Sequence, residues 1–390
     1  RQKYRVCLEK EGKLGHMGSR HTPTVGHSTD RSVNWSISPA ISSLLVFLGL
    51  SLSASCDSRT ALEKDNPIRP LPTSLPGISK RLSGPMATNY PRRSPPADPE
   101  RVRLGRWLFF DKRLSRDVDV SCGDCHAPDK SFSVSQAFGV GTGGVRTRRK
   151  PLPLVNLAWR IYPHFNWDGS ADSLEDQVLA ALQSEMGADI EQMILFLRKS
   201  PDYSHYFREA FGSGPITPYQ VASAIADYER SLVSGGSPWD LAKQGRPPGI
   251  PVSEGEKLFF GKARCFTCHF GENLTDNRFH NTGIGWDADS QRFSDKGRYD
   301  VTLEIGDIGR FKTPTLRNVS LRPPFMHDGS LPDLSSVVAH YNQGGIVNPN
   351  LSLEIKPLNL SQDEIQDLIS FLEALTDSQP PNTPPELFPH

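Results

Sequence analysis

The chain lacks several features that would place a protein quickly. It has no excess of charge: 44 basic residues balance 44 acidic ones over 390 positions. It has no basic block of the kind that tracks phosphates, so nucleic acid is set aside as a partner. It has no long hydrophobic run. The apolar stretch at 41–52 is well short of the about 20 residues that cross a bilayer. Cysteine is scarce, with six in all, and Cys7 lies in a segment read below as a removable leader, so no disulfide framework is expected. Strand signals are few and no short repeat period marks a solenoid. These absences leave a mainly α class.

What is present is a five-residue pattern that occurs twice: Cys122-Gly-Asp-Cys125-His126 and Cys265-Phe-Thr-Cys268-His269. In C-x-x-C-H each thiol adds to a haem vinyl group, and the adjoining histidine reaches the iron. Four thiols could instead hold zinc, or each pair could act as a redox dithiol. Neither use requires a histidine after both second cysteines. The chain therefore reads as carrying two covalently bound c-type haems, with His126 on the first iron and His269 on the second. Its 32 glycines and 33 prolines suit a loop-rich fold in which a cofactor replaces part of the core.

The organisation follows from composition. Residues 1–56 read as a leader with a signal peptide, the true start being Met17 or a point upstream. Arg20 and Arg31 precede the apolar run, and Ser53-Ala54-Ser55 follows it. Leu52-Ser-Ala-Ser-Cys56 resembles a lipoprotein cleavage site. Cys56 is thus a candidate lipid anchor to the membrane, with plain cleavage nearby as the alternative. Export to a Gram-negative-type periplasm is expected, because haem attachment of this kind occurs outside the cytoplasm. Residues 57–97 read as a Pro-rich linker. Two cytochrome c-type haem domains in tandem follow, 98–246 and 247–378, joined near Gly245–Gly249, with a tail at 379–390.

An internal repeat supports this division. Leu104-Gly-Arg-Trp-Leu-Phe-Phe110 precedes the first motif, and Gly255-Glu-Lys-Leu-Phe-Phe260 precedes the second. Helical spacing predicts helices over Ser173–Gln183, Asp189–Lys199, Tyr203–Phe211 and Pro218–Val233. Ser361-x-x-Glu364 is a capping box that opens a helix carrying Ile365, Leu368, Ile369, Leu372 and Leu375 on one face.

The ligand supply separates the two irons. Residues 127–163 contain neither His nor Met, and Phe138-Gly-Val-Gly-Thr-Gly-Gly144 offers no iron ligand. The next candidates are His164 and Met186, so the first iron is expected to keep an open face. For the second, Met326, His327, His340 and Tyr341 all remain available.

The ordered combination of motifs resembles the bacterial di-haem cytochrome c peroxidase and MauG family. It comprises Leu108–Lys112, Phe165-Asn-Trp167-Asp-Gly169, Ser173–Gln177, Glu185-Met-Gly187, Phe279–Gly283, Phe311–Val319, Met326–Gly329 and His340–Gly345, with both haem motifs. The resemblance runs from about Arg101 to Thr376. It implies a peroxidatic first haem that acts on hydrogen peroxide and a second haem that handles electrons. Trp167 then matches the relay between them. Gln177 and Glu185 match polar groups over the reactive haem, where a carboxylate can move a proton between peroxide oxygens. Their interval is shorter than the family's usual one, and Glu175 or Glu191 could serve instead. Tyr341 falls where MauG-like members carry the second iron's distal ligand, with Met326 as the alternative. Asn156 and the backbone carbonyls of Arg322 and Pro324 match a Ca²⁺ site between the domains. Electrons would come from a small cytochrome c or cupredoxin, or from a protein substrate that is itself modified. A non-catalytic electron carrier and a zinc-stapled module are the competing classes.

Overall fold

The computed structural model describes residues 58–69, 97–159, 164–249, 252–377 and 382–390. The leader, the candidate anchor Cys56 and most of the segment 57–97 lie outside the described residues. Helices α1 (58–65), α2 (Pro99–Phe110), α3 (Leu174–Ser184), α4 (Ile190–Lys199), α5 (Pro201–Phe211) and α6 (Pro218–Ser231) belong to the first half. Helices α7 (Ser253–Phe260), α8 (Leu334–Asn342) and α9 (Gln362–Glu373) belong to the second. The described sheet consists of two-residue ladders, among them β1 (Phe279–His280) paired antiparallel with β2 (Phe311–Lys312). The fold is mainly α and loop-rich, as the sequence predicts. Among the described residues no helix is long and apolar enough to cross a membrane.

The repeat read in the sequence is a repeated helix crossing. In α2, a Cβ on Gly105 would sit 1.9 Å from the Ala224 carbonyl oxygen of α6. In α7, a Cβ on Gly255 would sit 2.1 Å from the Asp367 carbonyl oxygen of α9. Only glycine permits backbones to approach so closely. Three residues beyond each glycine comes Leu-Phe-Phe. Phe109 meets Tyr228 edge-on at 5.1 Å, and Phe259 meets Phe371 at the same centroid distance. Each crossing anchors its own apolar cluster, the first spanning Leu62 to Leu232 and the second Trp239 to Leu375.

Caps set the helix limits. Ser173, Asp189, Ser200 and Thr217 each accept a backbone N–H of the first turn of α3, α4, α5 and α6. Ser361 and Glu364 form the expected capping box at the start of α9.

Two segments depart from the sequence reading. Residues 58–69, expected as linker, include α1, whose Leu62 is buried in the first cluster and whose Asn66 donates to the Arg103 carbonyl at 2.9 Å. Residues 382–390, expected as a tail, form a strap over the first half. Trp107 Nε1 donates to the Leu387 carbonyl at 3.0 Å, Arg106 to Thr383 at 2.6 Å and Arg113 to Pro389 at 2.9 Å. Asp65 of α1 accepts the backbone N–H of Leu387 at 3.0 Å, so the two segments hold each other.

Candidate haem sites

The two C-x-x-C-H motifs open onto two cavities. The first, about 440 Å³, is lined by Cys122, Cys125 and His126. The second, about 190 Å³, is lined by Cys265, Cys268 and His269. Both linings are predominantly apolar, as suits a large flat macrocycle.

Both histidines are oriented by the same device. His126 Nδ1 is 2.8 Å from the Phe132 carbonyl oxygen, and His269 Nδ1 is 2.9 Å from that of Leu274. Donation from Nδ1–H leaves Nε2 free as the metal-binding nitrogen. The residues that supply these carbonyls, Phe132 and Leu274, adopt left-handed φ of 55° and 50°. That conformation costs a bulky L-residue about 1–2 kcal/mol. Burial of both side chains in the two clusters holds it in place. Burial also lowers the basicity of both imidazoles, that of His269 to about 4, which keeps them neutral as iron ligation requires. The residues present therefore fit haem in both cavities.

They do not fit a four-sulfur zinc site. Among the described residues the one cluster of potential metal-binding side chains is Cys268, Asp276 and His280. It contains a single thiol, and that thiol belongs to the second haem motif.

The other side chains read from the sequence fall as follows. Gln177 and Glu185, two turns apart on α3 and its C-cap, both line the first cavity. Glu185 lies against Ser184 Oγ, and its own carbonyl accepts the Thr142 N–H at 2.9 Å. Glu175 is engaged elsewhere: it pairs with Arg230 at 2.8 Å. Glu191 does not line the cavity. His164 and Met186 both reach the lining. Met186 Sδ lies 3.9 Å from Cys122 Sγ, and His164 Nδ1 lies 2.9 Å from Asp172.

Tyr341, Met326 and His327 line the second cavity, whereas His340 does not. Burial pushes the Tyr341 phenol well above its ordinary value. His327 stacks on Phe311 at 3.5 Å between centroids, and burial lowers it to about 4. Trp167 lines both cavities, with Lys150, Pro151, Pro153, Lys312 and Pro314. Its Nε1 donates to the Lys150 carbonyl at 2.7 Å, and its ring meets that of His327 edge-on at 6.3 Å. Asp168, beside it, pairs with Arg149 at 2.5 Å, and Arg149 pairs with Asp295 at 2.7 Å. Burial works against both carboxylates, yet the Arg149 hydrogen bonds hold them below their usual range. Arg149 and Lys150 thus turn inward on the wall between the cavities, whereas Arg146 and Arg148 are exposed.

The candidate calcium set is divided between the two cavity linings. Asn156 is 2% exposed and lines the first cavity, whereas Arg322 and Pro324 line the second. Its amide is closed on Ser234, donating to that carbonyl at 2.8 Å and accepting that N–H at 2.9 Å. Arg322 is itself buried and brings a positive charge to the same set. The engaged Asn156 amide and the buried Arg322 cation both make a poor fit for Ca²⁺, which needs about six to eight oxygen ligands.

Sequence reasoning missed Glu229 and Lys150. Glu229 lines the first cavity with a buried Oε2 that lacks a hydrogen-bond partner. Its sequence signal was weak, because one acid on an amphipathic helix reads as solvated.

Two haem-binding lobes of mainly helical build, their cavities sharing one wall, define a di-haem c-type oxidoreductase. A profile of the family described as di-haem cytochrome c peroxidase matches residues 99–247. The chain is 38% identical over 318 residues to the methylamine utilization protein MauG of Methylorubrum extorquens, covering 80% of this chain and 88% of that protein. It is 33% identical over 364 residues to the cytochrome-c peroxidase IdrP1 of Denitromonas iodatirespirans, covering 85% and 93%. Among solved structures it resembles a MauG-like protein associated with microbial copper homeostasis. The TM-score is 0.68 at 30% identity, over 77% of this chain and 96% of that one. The chain belongs to the di-haem cytochrome c peroxidase and MauG family, and is an oxidoreductase of the cytochrome c peroxidase type.

Proposed function

We propose that the protein reduces hydrogen peroxide at the first haem, with electrons from a small cytochrome c or cupredoxin that enter through the second. The observation that carries this reading is the shared wall: Trp167 lines both cavities and is clamped by its bond to Lys150. When bound, haem supplies the iron that accepts peroxide and the macrocycle that stores oxidising equivalents. The chain's own residues hold, relay and exclude. His126 and His269 present Nε2 because their Nδ1 atoms are engaged. Glu185, on the same cavity lining as Gln177, takes a proton from one peroxide oxygen and returns it to the other. Trp167 carries electrons between the cavities. Tyr341 would hold the second haem's iron together with His269, with Met326 as the alternative lining the same cavity. Export to the periplasm is part of this proposal, supported by the 41–52 run and by the two haem attachment motifs.

The test is peroxide-dependent oxidation of reduced cytochrome c or cupredoxin by the mature protein. Steady turnover supports the reading, and turnover no faster than free haem overturns it. A second reading, oxidation of a partner protein, is favoured by Tyr341 in the second cavity and by the resemblance to MauG-like members. It predicts that peroxide is consumed only when a specific protein substrate is supplied, with no turnover on small redox proteins.

A further inference from the structure

Two buried cations lie at the second cavity without a counter-charge. Lys150, 5% exposed, lines both cavities, and Arg322, 7% exposed, lines the second. Lys150 Nζ donates to the carbonyls of Val134 and Gln136, each at 2.7 Å. Arg322 Nη2 donates to the carbonyls of Thr315 and Arg317, while its Nε is buried with no hydrogen-bond partner. Among the described residues no carboxylate acts on either cation. The contrast within the molecule is direct. Arg230 and Arg317 are as deeply buried, and each carries a carboxylate, from Glu175 and Asp240 respectively. Burial, with the nearby Arg322 charge, lowers Lys150 to about 8, so it is still a cation at neutral pH. Arginine keeps its proton throughout.

An unpaired buried ion is strongly unfavourable unless an anion completes the pair. The cavity into which both residues open also holds Cys265, Cys268 and His269, and the Arg322 charge is among those acting on His269. The anion that belongs there is carboxylate, and haem carries two. We propose that Lys150 and Arg322 form a built-in dication that binds the carboxylates of the second haem and takes the electrostatic place of a metal ion between the cavities. The proposal rests on the di-haem reading. It also accounts for the poor fit of the Asn156, Arg322 and Pro324 set to Ca²⁺: the positive charge is already supplied by side chains.

The test uses the mature full chain, with haem counted by absorbance. Calcium is measured by mass spectrometry after desalting with and without chelator. Midpoint potentials of both haems are measured by spectroelectrochemistry in wild type, Arg322→Met, Arg322→Lys and Lys150→Met. The expected wild type retains no calcium, and chelator leaves both potentials unchanged. Arg322→Met and Lys150→Met lower the potential of the second haem, because a nearby cation stabilises the reduced iron. Arg322→Lys keeps most of the wild-type value. One calcium per chain that survives desalting, or potentials that fall on chelation, overturns the proposal. So does an Arg322→Met protein with two haems and the wild-type potential. Should Arg322→Met fail to mature, Arg322→Lys and the wild-type calcium measurement decide. A wild type without two haems would instead overturn the di-haem reading, and this proposal with it.

Discussion

Replacing Glu229 by Gln should make the protein more stable, by an amount that depends on pH. Glu229 is 4% exposed, its Oε2 has no hydrogen-bond partner, and it lines the first cavity. Burial raises its carboxyl from an ordinary 4.5 to about 8, the opposing pull of Arg230 being partly cancelled by Glu175. In the unfolded chain the carboxyl ionises above about pH 4.5, whereas in the folded chain it keeps its proton until about pH 8. Between these limits the unfolded state binds fewer protons, so rising pH favours unfolding. Each pH unit in that window is worth about 1.4 kcal/mol. By pH 8 the accumulated penalty is roughly 4–5 kcal/mol, after which both states are ionised and it stops growing. Glutamine is neutral throughout and carries no such term. Guanidinium midpoints of the mature protein, followed by Soret absorbance and circular dichroism at pH 5, 6, 7 and 8, provide the assay. Wild type and Glu229→Gln should nearly coincide at pH 5 and diverge steadily, with the variant the more stable at pH 8. A gap that does not change with pH would refute the reasoning, because it would mean that Glu229 ionises alike in both states.

Four further outcomes are expected. Gly105→Ala and Gly255→Ala each push a helix crossing apart and should cost about 1–3 kcal/mol or more, read as a lower Tm, whereas Gly306→Ala, whose Cβ would meet open space, should cost little. Deleting residues 382–390 removes the carbonyls bonded by Arg106, Trp107 and Arg113 and should cost roughly 3 kcal/mol in denaturant melts while leaving both haems attached. Trp167→Phe should keep both haem spectra but slow peroxide-dependent oxidation of the donor at least tenfold; an unchanged rate would remove Trp167 from the relay. Tyr341→Phe should change the visible spectrum of the second haem while leaving the first unaltered; no change would transfer the ligand assignment to Met326.

The parts legible in the sequence were those set by local chemistry. The expected Ser173–Gln183 helix is Leu174–Ser184 with Ser173 as its cap, and Asp189 caps Ile190–Lys199. The expected Tyr203–Phe211 helix begins two residues earlier, because Pro201 at its first turn needs no partner for a missing N–H and Ser200 caps it. The expected Pro218–Val233 helix stops at Ser231, where the chain becomes extended at Leu232. Among site residues, Gln177, Glu185, Trp167 and Tyr341 were reached through motif order, and each lines a cavity. What stayed hidden depends on contacts between distant residues. The strap at 382–390 reads as a polar, Pro-rich tail until Trp107 and Arg106 are seen to bind its carbonyls. Lys150 carries no motif signal, and only the contacts of its Nζ with the Val134 and Gln136 carbonyls reveal it as a buried cation. The left-handed Phe132 and Leu274 carry no sequence signal, since nothing about Phe or Leu favours that conformation.

The proposed division of labour between the two haem sites has to be sought in their cavity linings. The glycine crossing, the Leu-Phe-Phe segment and the histidine that donates to the carbonyl of a left-handed residue recur in both halves, so none of them can distinguish one iron from the other. The difference must arise in the remaining lining. The first cavity is the larger and, besides the candidate ligands His164 and Met186, gathers Gln177, Glu185 and Glu229, groups able to hold or move protons. The second is smaller and gathers Tyr341 and Met326, able to ligate, with Arg322, able to bind a carboxylate; Lys150 is common to both. A roomy cavity with proton carriers suits a small oxygen substrate that must be protonated as its O–O bond breaks. A tight cavity rich in ligands and cations suits an iron that changes charge without admitting substrate. Exchanging the C-x-x-C-H motifs between the lobes should accordingly leave each cavity with its original reactivity, whereas exchanging the 177–185 segment should not.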